Sequence, residues 1–127
     1  GAVAQPTSGD AAVPRLAAQV FADLARLHRD AGRRLVLVYL PMVDELRGDE
    51  TQELRAFVAD VARRLGVPFV DGVAALRALP PDEVAALYIP DGASAFPAAA
   101  GHFTARGNRW AADWILAALR QSGALGP

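Results

Sequence analysis

The sequence predicts an α/β domain in which a parallel sheet lies between layers of helices. Helical patterns with an apolar stripe alternate along the chain with apolar runs that are short enough to be strands. The longest of these runs, Leu35 to Leu40, has no polar alternation, which is typical of a parallel strand covered by helices on both faces. Hydrophobic residues make up 53% of the 127 residues, enough to build the core of a single domain.

The first predicted element is a helix preceded by an irregular lead-in. Residues 1–12 lack an apolar period and contain proline and glycine, so we expect a loop or frayed segment before a folded part that spans 13–122. Pro14 suits the first turn of a helix, and Gly32 suits its end. The apolar stripe of this helix consists of Leu16, Val20, Leu24 and Leu27.

The strand at Leu35 to Leu40 ends at Pro41, and the alternation of elements continues after it. We expect this strand to be central and parallel to a second, shorter strand at Val67 to Val70. The other predicted elements are a loop at Met42 to Asp49, a helix at Leu54 to Leu65 closed by Gly66, a weaker helix at Val73 to Leu79, a one-turn segment at Val84 to Leu87, a loop at Tyr88 to Gly101 and a helix capped by Thr104. The pattern thus predicts about two parallel strands and three to four helices.

Two strands are fewer than a twisted parallel sheet usually contains, since such sheets have about five or six strands. Further strands must come from an upstream part of the parent protein or from another chain. We therefore expect either a homodimer or pairing with a missing N-terminal half. The expected contact surface is the stripe of Leu16, Val20 and Leu24, or the edge of the strand Leu35 to Leu40.

The composition argues against several classes of function. The 13 basic and 14 acidic side chains give a net charge of -1, so no positive field attracts nucleic acid. No apolar run approaches the ~20 residues that span a bilayer. The chain contains no cysteine, which excludes disulfides and thiolate metal sites and leaves the cellular compartment open. No ligand spacing predicts a metal site, and no glycine pattern predicts a phosphate-bearing or dinucleotide cofactor.

His102 is the residue that the sequence singles out for chemistry. It lies where a long loop ends and the last helix begins, and loops at such junctions often carry functional residues. A histidine there can act as a general base, because imidazole exchanges a proton near neutral pH. The alternative is a structural histidine that satisfies loop carbonyls or helps Thr104 to cap the helix. The second histidine, His28, is expected to be a surface or edge residue of the first helix.

The segment around His102 resembles part of a known family. It reads Gly101-His102-Phe103-Thr104-Ala105-Arg106-Gly107-Asn108, followed by Arg109-Trp110-Ala111-Ala112 and an amphipathic helix. This block resembles the last conserved block of SGNH (GDSL-type) ester hydrolases and acyltransferases, and the order of elements from Leu16 to Leu119 is similar to the back half of their fold. The resemblance implies a three-layer, flavodoxin-like α/β fold of which only this back half is present.

The same resemblance implies a mechanism for the complete enzyme. His102 would take a proton from an upstream serine and deliver it to the leaving alcohol of an acyl ester or acylated glycan. The serine and oxyanion-hole blocks of the family are absent, and Ser8, Ser94 and Ser122 do not follow a sharp strand-to-helix turn. The chain alone is therefore expected to be inactive, and the resemblance implies no cofactor.

The acid of the catalytic triad is a second departure from the family pattern. The family places this acid two or three residues before the histidine, where the chain has Ala99 and Ala100. Asp91 is the best substitute, because the family often has an Asp-Gly pair before its histidine and residues 93–101 look like an insertion. An Asp-Gly pair is also a common turn former, so a simple turn stays an alternative.

Other polar and aromatic residues have structural interpretations. Asp71 follows the second strand, where open α/β sheets place their sites, but it is expected to cap a helix. Asp44 and Glu45 could face a substrate, although a solvated loop is the expected environment for both. Trp110 and Trp114 share one face of the last helix and are expected to form a core stripe.

Two alternatives to an enzyme stay open. The chain could be a non-catalytic α/β interaction or ligand-binding module that has lost the hydrolase site, which the alanines at positions 99 and 100 favour. It could also be a flavodoxin-like ligand-binding or signalling domain without hydrolase ancestry. A histidine that docks beside a serine in the parent protein would separate the enzyme from both.

Overall fold

The computed structural model of the chain describes residues 8–96 and 98–126, and this part has the predicted α/β order. It contains the helices and strands α1 Ser8–Asp30, β1 Leu37–Tyr39, α2 Gln52–Leu65, β2 Phe69–Asp71, α3 Gly72–Arg77, α4 Pro81–Ala85 and α5 Ala105–Gln121. A 3-10 turn, Val43–Leu46, lies between β1 and α2. The α/β class is confirmed. The expected three to four helices become five α-helices in the described residues, because the segment after Pro80 forms a short helix of its own.

α1 begins earlier than the sequence predicts. Ser8 to Ala12, expected to belong to the irregular lead-in, are helical, and Pro14 lies inside the helix. Proline costs a helical hydrogen bond only beyond the first turn, so it is favoured near a helix start but does not fix where the helix begins. Residues 1–7 of the expected lead-in lie outside the described residues.

β1 and β2 form a parallel pair, as predicted. The register pairs are Leu37 with Phe69, Val38 with Val70 and Tyr39 with Asp71. The predicted central position of β1 is wrong for this chain, since no strand other than β2 pairs with it among the described residues. The predicted cover on both faces is also wrong, because Val38 and Leu40 are 38% and 51% exposed. An apolar run predicts that a strand needs cover but does not show which chain supplies it.

Local signals set the boundaries of three helices. α2 ends at Gly66, which takes the left-handed conformation (φ 67°), as predicted. α3 begins directly after β2, and the Asp71 carboxylate accepts a hydrogen bond from the amide of Val73 at 2.9 Å. α5 starts in the same way, with the hydroxyl of Thr104 accepting from the amide of Gly107 at 3.1 Å. These caps hold the turn after β2 and the loop before α5 in defined positions.

The core is built from α3, α4, α5 and the segments between them. Its buried members are Leu76, Val84, Leu87 and Tyr88, which pack against Leu46, Leu79, Phe103 and Trp110. The aromatic rings form a row, with centroid distances of 5.0 Å for Tyr88 to Phe103, 6.1 Å for Phe103 to Trp110 and 5.8 Å for Trp110 to Trp114. Aromatic pairs at such distances stabilise a core beyond the area they bury. The two tryptophans thus pack as the sequence predicts.

None of the helices in the described residues is both long and apolar enough to cross a membrane.

Gly107 lies where the core leaves no room for a side chain. A Cβ atom there would overlap the backbone carbonyl of Leu87 and lie 2.9 Å from the ring of Phe103. We expect Gly107→Ala to lower the free energy of unfolding by about 1–3 kcal/mol, the usual cost of overpacking a core. Urea unfolding followed by tryptophan fluorescence measures this loss.

Gly48→Ala is the matched control for this substitution. The two closest atoms there belong to the Glu50 carboxylate, which can rotate away from an added methyl group, and the nearest backbone atom is the Asp44 oxygen at 3.1 Å, farther than the Leu87 oxygen is from Gly107. We expect its free energy of unfolding to stay within about 0.5 kcal/mol of the parent value. Equal losses in the two variants would contradict the close approach of α5 to Leu87.

Candidate functional site

His102 lies in a backbone clamp that ties the two ends of a loop together. The amide of Ile89 donates to the carbonyl of His102, and the amide of Gly101 donates to the carbonyl of Ile89, both at 2.8 Å. The amide of Thr104 donates to the carbonyl of Leu87, also at 2.8 Å. We call these paired segments, residues 87–89 and 101–104, the clamp. It fixes the backbone of His102 together with the bond from the His102 amide to the carbonyl of Ala99 in the loop, at 3.2 Å.

The imidazole of His102 is exposed in a groove beside the C-terminal end of β1. This histidine groove has a volume of about 270 Å³, and its other walls include Leu40, Pro41, Met42, Tyr88 and Phe103. Open α/β sheets place ligand sites at this end of their strands. The imidazole makes no hydrogen bond to another described residue, and Thr104 caps α5 with its own hydroxyl. The described contacts therefore give no support to a purely structural role for His102.

Asp91 lies near the start of the same loop, but its carboxylate forms no hydrogen bond with His102. Its carboxylate is exposed and lines a neighbouring cavity of about 530 Å³, which shares Met42, Tyr88 and Gly101 with the histidine groove. No hydrogen bond or ion pair links the carboxylate of Asp91 to the imidazole of His102 in the structure. The two predicted catalytic residues thus lie in adjoining cavities without forming an acid–histidine pair.

The serines that the structure describes are not placed as nucleophiles. Ser94 lies exposed in the loop, where its Oγ accepts a hydrogen bond from the amide of Phe96 at 3.1 Å. Ser122 follows α5, and its Oγ donates to the carbonyl of Leu119 at 3.0 Å. The side chain of Ser8 lies outside the described part of the chain. Within that part, no group of three or more His, Asp or Glu side chains could hold a metal ion.

A buried polar network, which the sequence analysis missed, lies at the carboxyl end of β1. Glu45, expected in a solvated loop, is only 3% exposed. Its carboxylate accepts hydrogen bonds from the Tyr39 hydroxyl at 2.9 Å, from the Met42 amide at 2.7 Å and from the Thr51 hydroxyl. The expectation for Glu45 is therefore wrong, because the 3-10 turn folds its side chain back toward the end of β1. Its neighbour Asp44 is exposed, as expected.

Arg55 of α2 extends this network to β2. Its Nη1 lies 2.6 Å from the carboxylate of Asp71, and its Nε lies 3.8 Å from that of Glu45. Because Asp71 pairs with Tyr39 in the sheet, the network spans the ends of both strands. Asp71 is thus a helix cap, as expected, and also an ion-pair partner.

Hydrogen bonding sets the protonation of the network. Burial raises the pKa of Glu45, but the hydrogen bonds that the carboxylate accepts and the charge of Arg55 outweigh this effect and hold the pKa below its ordinary value. Burial raises the pKa of Tyr39 and raises the pKa of Tyr88 to about 12. Near neutral pH, Glu45 is therefore ionised and both tyrosine hydroxyls keep the protons that they donate.

One sequence signal identifies Glu45 in retrospect. It stands three residues after Met42, which is the spacing of a capping box, and its side chain reaches back to the Met42 amide as in such a box. Capping boxes usually begin with serine or threonine, so a methionine at the first position hides the pattern.

The candidate site thus combines an exposed histidine in a groove, an acid in the adjoining cavity and a buried ionic network at the strand ends. No protein-family model matches the chain, and no curated protein or solved structure is significantly similar to it.

Replacing Glu45 by glutamine removes the charge and nearly keeps the shape of the side chain. Near neutral pH we expect Glu45→Gln to lower the free energy of unfolding by about 1–3 kcal/mol, because it impairs a buried, charged hydrogen-bonding group. The folded pKa of Glu45 lies below the unfolded value of 4.5, so its stabilisation is complete above that value and is lost as the pH falls through the folded pKa. Urea unfolding over a pH series should show the two proteins converging below pH 4.5.

Glu53→Gln is the control, since Glu53 is exposed on the same helix as Arg55. We expect the free energy of unfolding of this variant to stay within about 0.5 kcal/mol of the parent at each pH. A gap between Glu45→Gln and the parent that stays constant from neutral to strongly acidic pH would show that Glu45 is not the ionised partner in the network.

Proposed function

We propose that this chain is the histidine-bearing C-terminal part of an SGNH-type ester hydrolase or O-acyltransferase, acting with a serine supplied from outside the chain. The observation that carries the proposal is the exposed imidazole of His102 in a groove at the carboxyl end of β1. The sequence block around this histidine supports the same function by its resemblance to that family.

The clamp supports a role for His102 as a general base. Such a base must be held in position while its ring stays free to accept a proton. The carbonyl of His102 accepts a hydrogen bond from the amide of Ile89, and the cap at Thr104 fixes the turn that follows. The imidazole forms no hydrogen bond to another described residue that would compete for its nitrogens. The ring is therefore available to a serine hydroxyl that enters the histidine groove.

The walls of the groove support an ester as the substrate. Leu40, Met42 and Phe103 give an apolar surface on which an acyl group can lie. In the proposed reaction the serine oxygen bonds to the acyl carbon, and His102 takes the serine proton and gives it to the leaving alcohol. Water or a glycan hydroxyl then attacks the acyl-serine. His102 takes the proton of this attacking group and passes it to the serine oxygen as the acyl–serine bond breaks, which releases the acyl group.

Asp91 is the acid that the proposal assigns to His102. Asp91 stands two residues after Ile89 of the clamp, and His102 lies in the opposite segment of the clamp, where its carbonyl accepts from the Ile89 amide. A loop can adjust without repacking the core, and catalytic hydrogen bonds often tighten only when substrate binds. Asp91 would then orient the ring and stabilise its protonated form.

A second function is favoured by one observation. Asp91 does not bond to His102 in the described contacts, and positions 99 and 100 hold alanine where the family has its acid. A non-catalytic interaction or ligand-binding module that has lost the hydrolase site would have these features. The two functions differ in one respect: replacing His102 abolishes activity in the enzyme and changes no reaction in the module.

The chain by itself is expected to hydrolyse short-chain nitrophenyl esters no faster than its His102→Ala variant. The nucleophile and the oxyanion hole supply the largest contributions to acyl-transfer catalysis, and the chain supplies neither. Initial rates of nitrophenol release measure this directly. A rate that disappears in the His102→Ala variant would mean that a serine of this chain, with Ser94 the first to test, is a competent nucleophile.

In the product of the full open reading frame, His102→Gln is expected to lower kcat for ester hydrolysis or acyl transfer by about 10²–10⁴-fold, the typical contribution of a general base. KM should change little, because the base acts in the transition state. The matched control is His28→Gln, since His28 lies on α1 and not in the clamp. Unchanged kcat in His102→Gln, or the absence of any activity on esters in the parent, would contradict the proposal.

A further inference from the structure

A cavity with a volume of about 320 Å³ lies at the amino end of the sheet. Its walls include residues 35–36, which precede β1, and residues 67–68, which precede β2. Arg29, Arg33 and Arg34 also line it, and we call it the arginine cavity. Because the histidine groove lies at the carboxyl end of β1, the two sites are at opposite ends of the strands.

The arginine cavity concentrates positive charge. The described residues that line it include no acidic side chain, and the described ion pairs include none of its three arginines. Asp30 follows Arg29 in the chain but does not line the cavity. A guanidinium group is always charged in a protein. Three positive charges therefore meet at one cavity in a chain whose net charge is only -1.

α1, α2 and α5 all end beside the arginine cavity, and the carbonyl groups at a helix C-terminus attract cations. Each end is closed by a backbone amide that donates to a carbonyl of the last turn: Arg33 to His28 at 2.8 Å, Val67 to Ala62 at 2.9 Å and Ala124 to Leu119 at 3.1 Å. Among the three arginine side chains, only that of Arg34 adds to such an end, since its Nη1 donates to the carbonyls of Gly123 and Ala124 at 2.8 and 3.1 Å. The guanidinium groups of Arg29 and Arg33 form no hydrogen bond to a described residue, so both keep their donors for a ligand.

The remaining walls of the arginine cavity are largely apolar. Ala25 of α1 is only 6% exposed, and Val36, Leu65 and Val67 are half-buried. Sites for small molecules usually combine such apolar walls with a few polar groups that fix the orientation of the ligand, in volumes of about 300–1,000 Å³. The cavity therefore fits a small molecule with an apolar body and one anionic group.

We propose that the arginine cavity binds a small molecule that carries a phosphate group on an apolar body. The guanidinium fork of arginine pairs bidentately with phosphate oxygens. A phosphate monoester has a charge of about -1.5 to -2 near neutral pH, whereas a carboxylate carries a single negative charge, so three guanidinium groups favour the phosphate. Arg34 is anchored at the end of α5, and the exposed side chains of Arg29 and Arg33 close on the ligand. This site is separate from the groove of His102 and does not depend on the function proposed for it.

NMR titration with phenyl phosphate tests the site, because this probe combines a phosphate group with a small apolar ring. At moderate ionic strength we expect saturable shifts of the amide signals of Gly66 and Gly123, which line the cavity, and an unchanged signal of Gly101 in the histidine groove. Benzoate, which has the same ring and a single negative charge, should bind at least about tenfold more weakly, since it pairs with fewer guanidinium donors. Equal binding of benzoate, or no saturable shift at Gly66 and Gly123, would overturn the proposal.

Substitution of single arginines gives a second test. We expect Arg29→Gln and Arg33→Gln each to raise the Kd for phenyl phosphate about tenfold, because each removes a charged hydrogen-bonding partner of the phosphate. The matched control is Arg26→Gln, which removes the same charge from an exposed arginine of α1 that pairs with Asp23 outside the cavity. Its Kd should stay within about twofold of the parent value, since a distant surface charge is screened by salt. Circular dichroism checks that the three variants fold. Equal losses of affinity in all three, or an unchanged Kd in both Arg29→Gln and Arg33→Gln, would contradict the assignment of the site.

Discussion

The clamp between residues 87–89 and 101–104 is the constraint on which the rest of the candidate site depends. Its three backbone hydrogen bonds close the loop, set the carbonyl of His102 and lead directly into the cap of α5. The aromatic row of the core begins at the same place, since Tyr88 and Phe103 form an antiparallel bridge and their rings are in contact. The clamp therefore links the backbone of His102 to the packed core, and the His102 amide also donates to the carbonyl of Ala99 in the loop at 3.2 Å.

The clamp and the buried network meet at the peptide group between Pro41 and Met42. The hydroxyl of Tyr88 donates to the carbonyl of Pro41 at 2.7 Å, and the carboxylate of Glu45 accepts from the amide of Met42 at 2.7 Å. One peptide is thus held at its oxygen by the core and at its nitrogen by a buried charge. Since both residues line the histidine groove, Glu45 helps to hold a wall of that groove in place.

The sequence predicts several features that depend only on neighbouring residues. The caps at Gly66, Asp71 and Thr104 follow from local backbone chemistry, and the structure contains all three. Burial of Glu45 could not be predicted in this way, because it depends on contacts with other elements. The exposure of Val38 was missed for a related reason. An apolar strand pattern indicates that other elements bury the strand, but it does not show whether those elements belong to this chain. The position of His102 was predicted correctly as the junction before α5, whereas its relation to Asp91 depends on the conformation of a loop.

The central claim is that His102 takes the proton of a serine that lies outside this chain. The most direct measurement is a crystal structure of the product of the full open reading frame after reaction with a fluorophosphonate. We predict one phosphonylated serine, with its Oγ within about 2.6–3.2 Å of an imidazole nitrogen of His102. A protein that the reagent does not modify, or a modified serine whose neighbouring base is not His102, would contradict the claim.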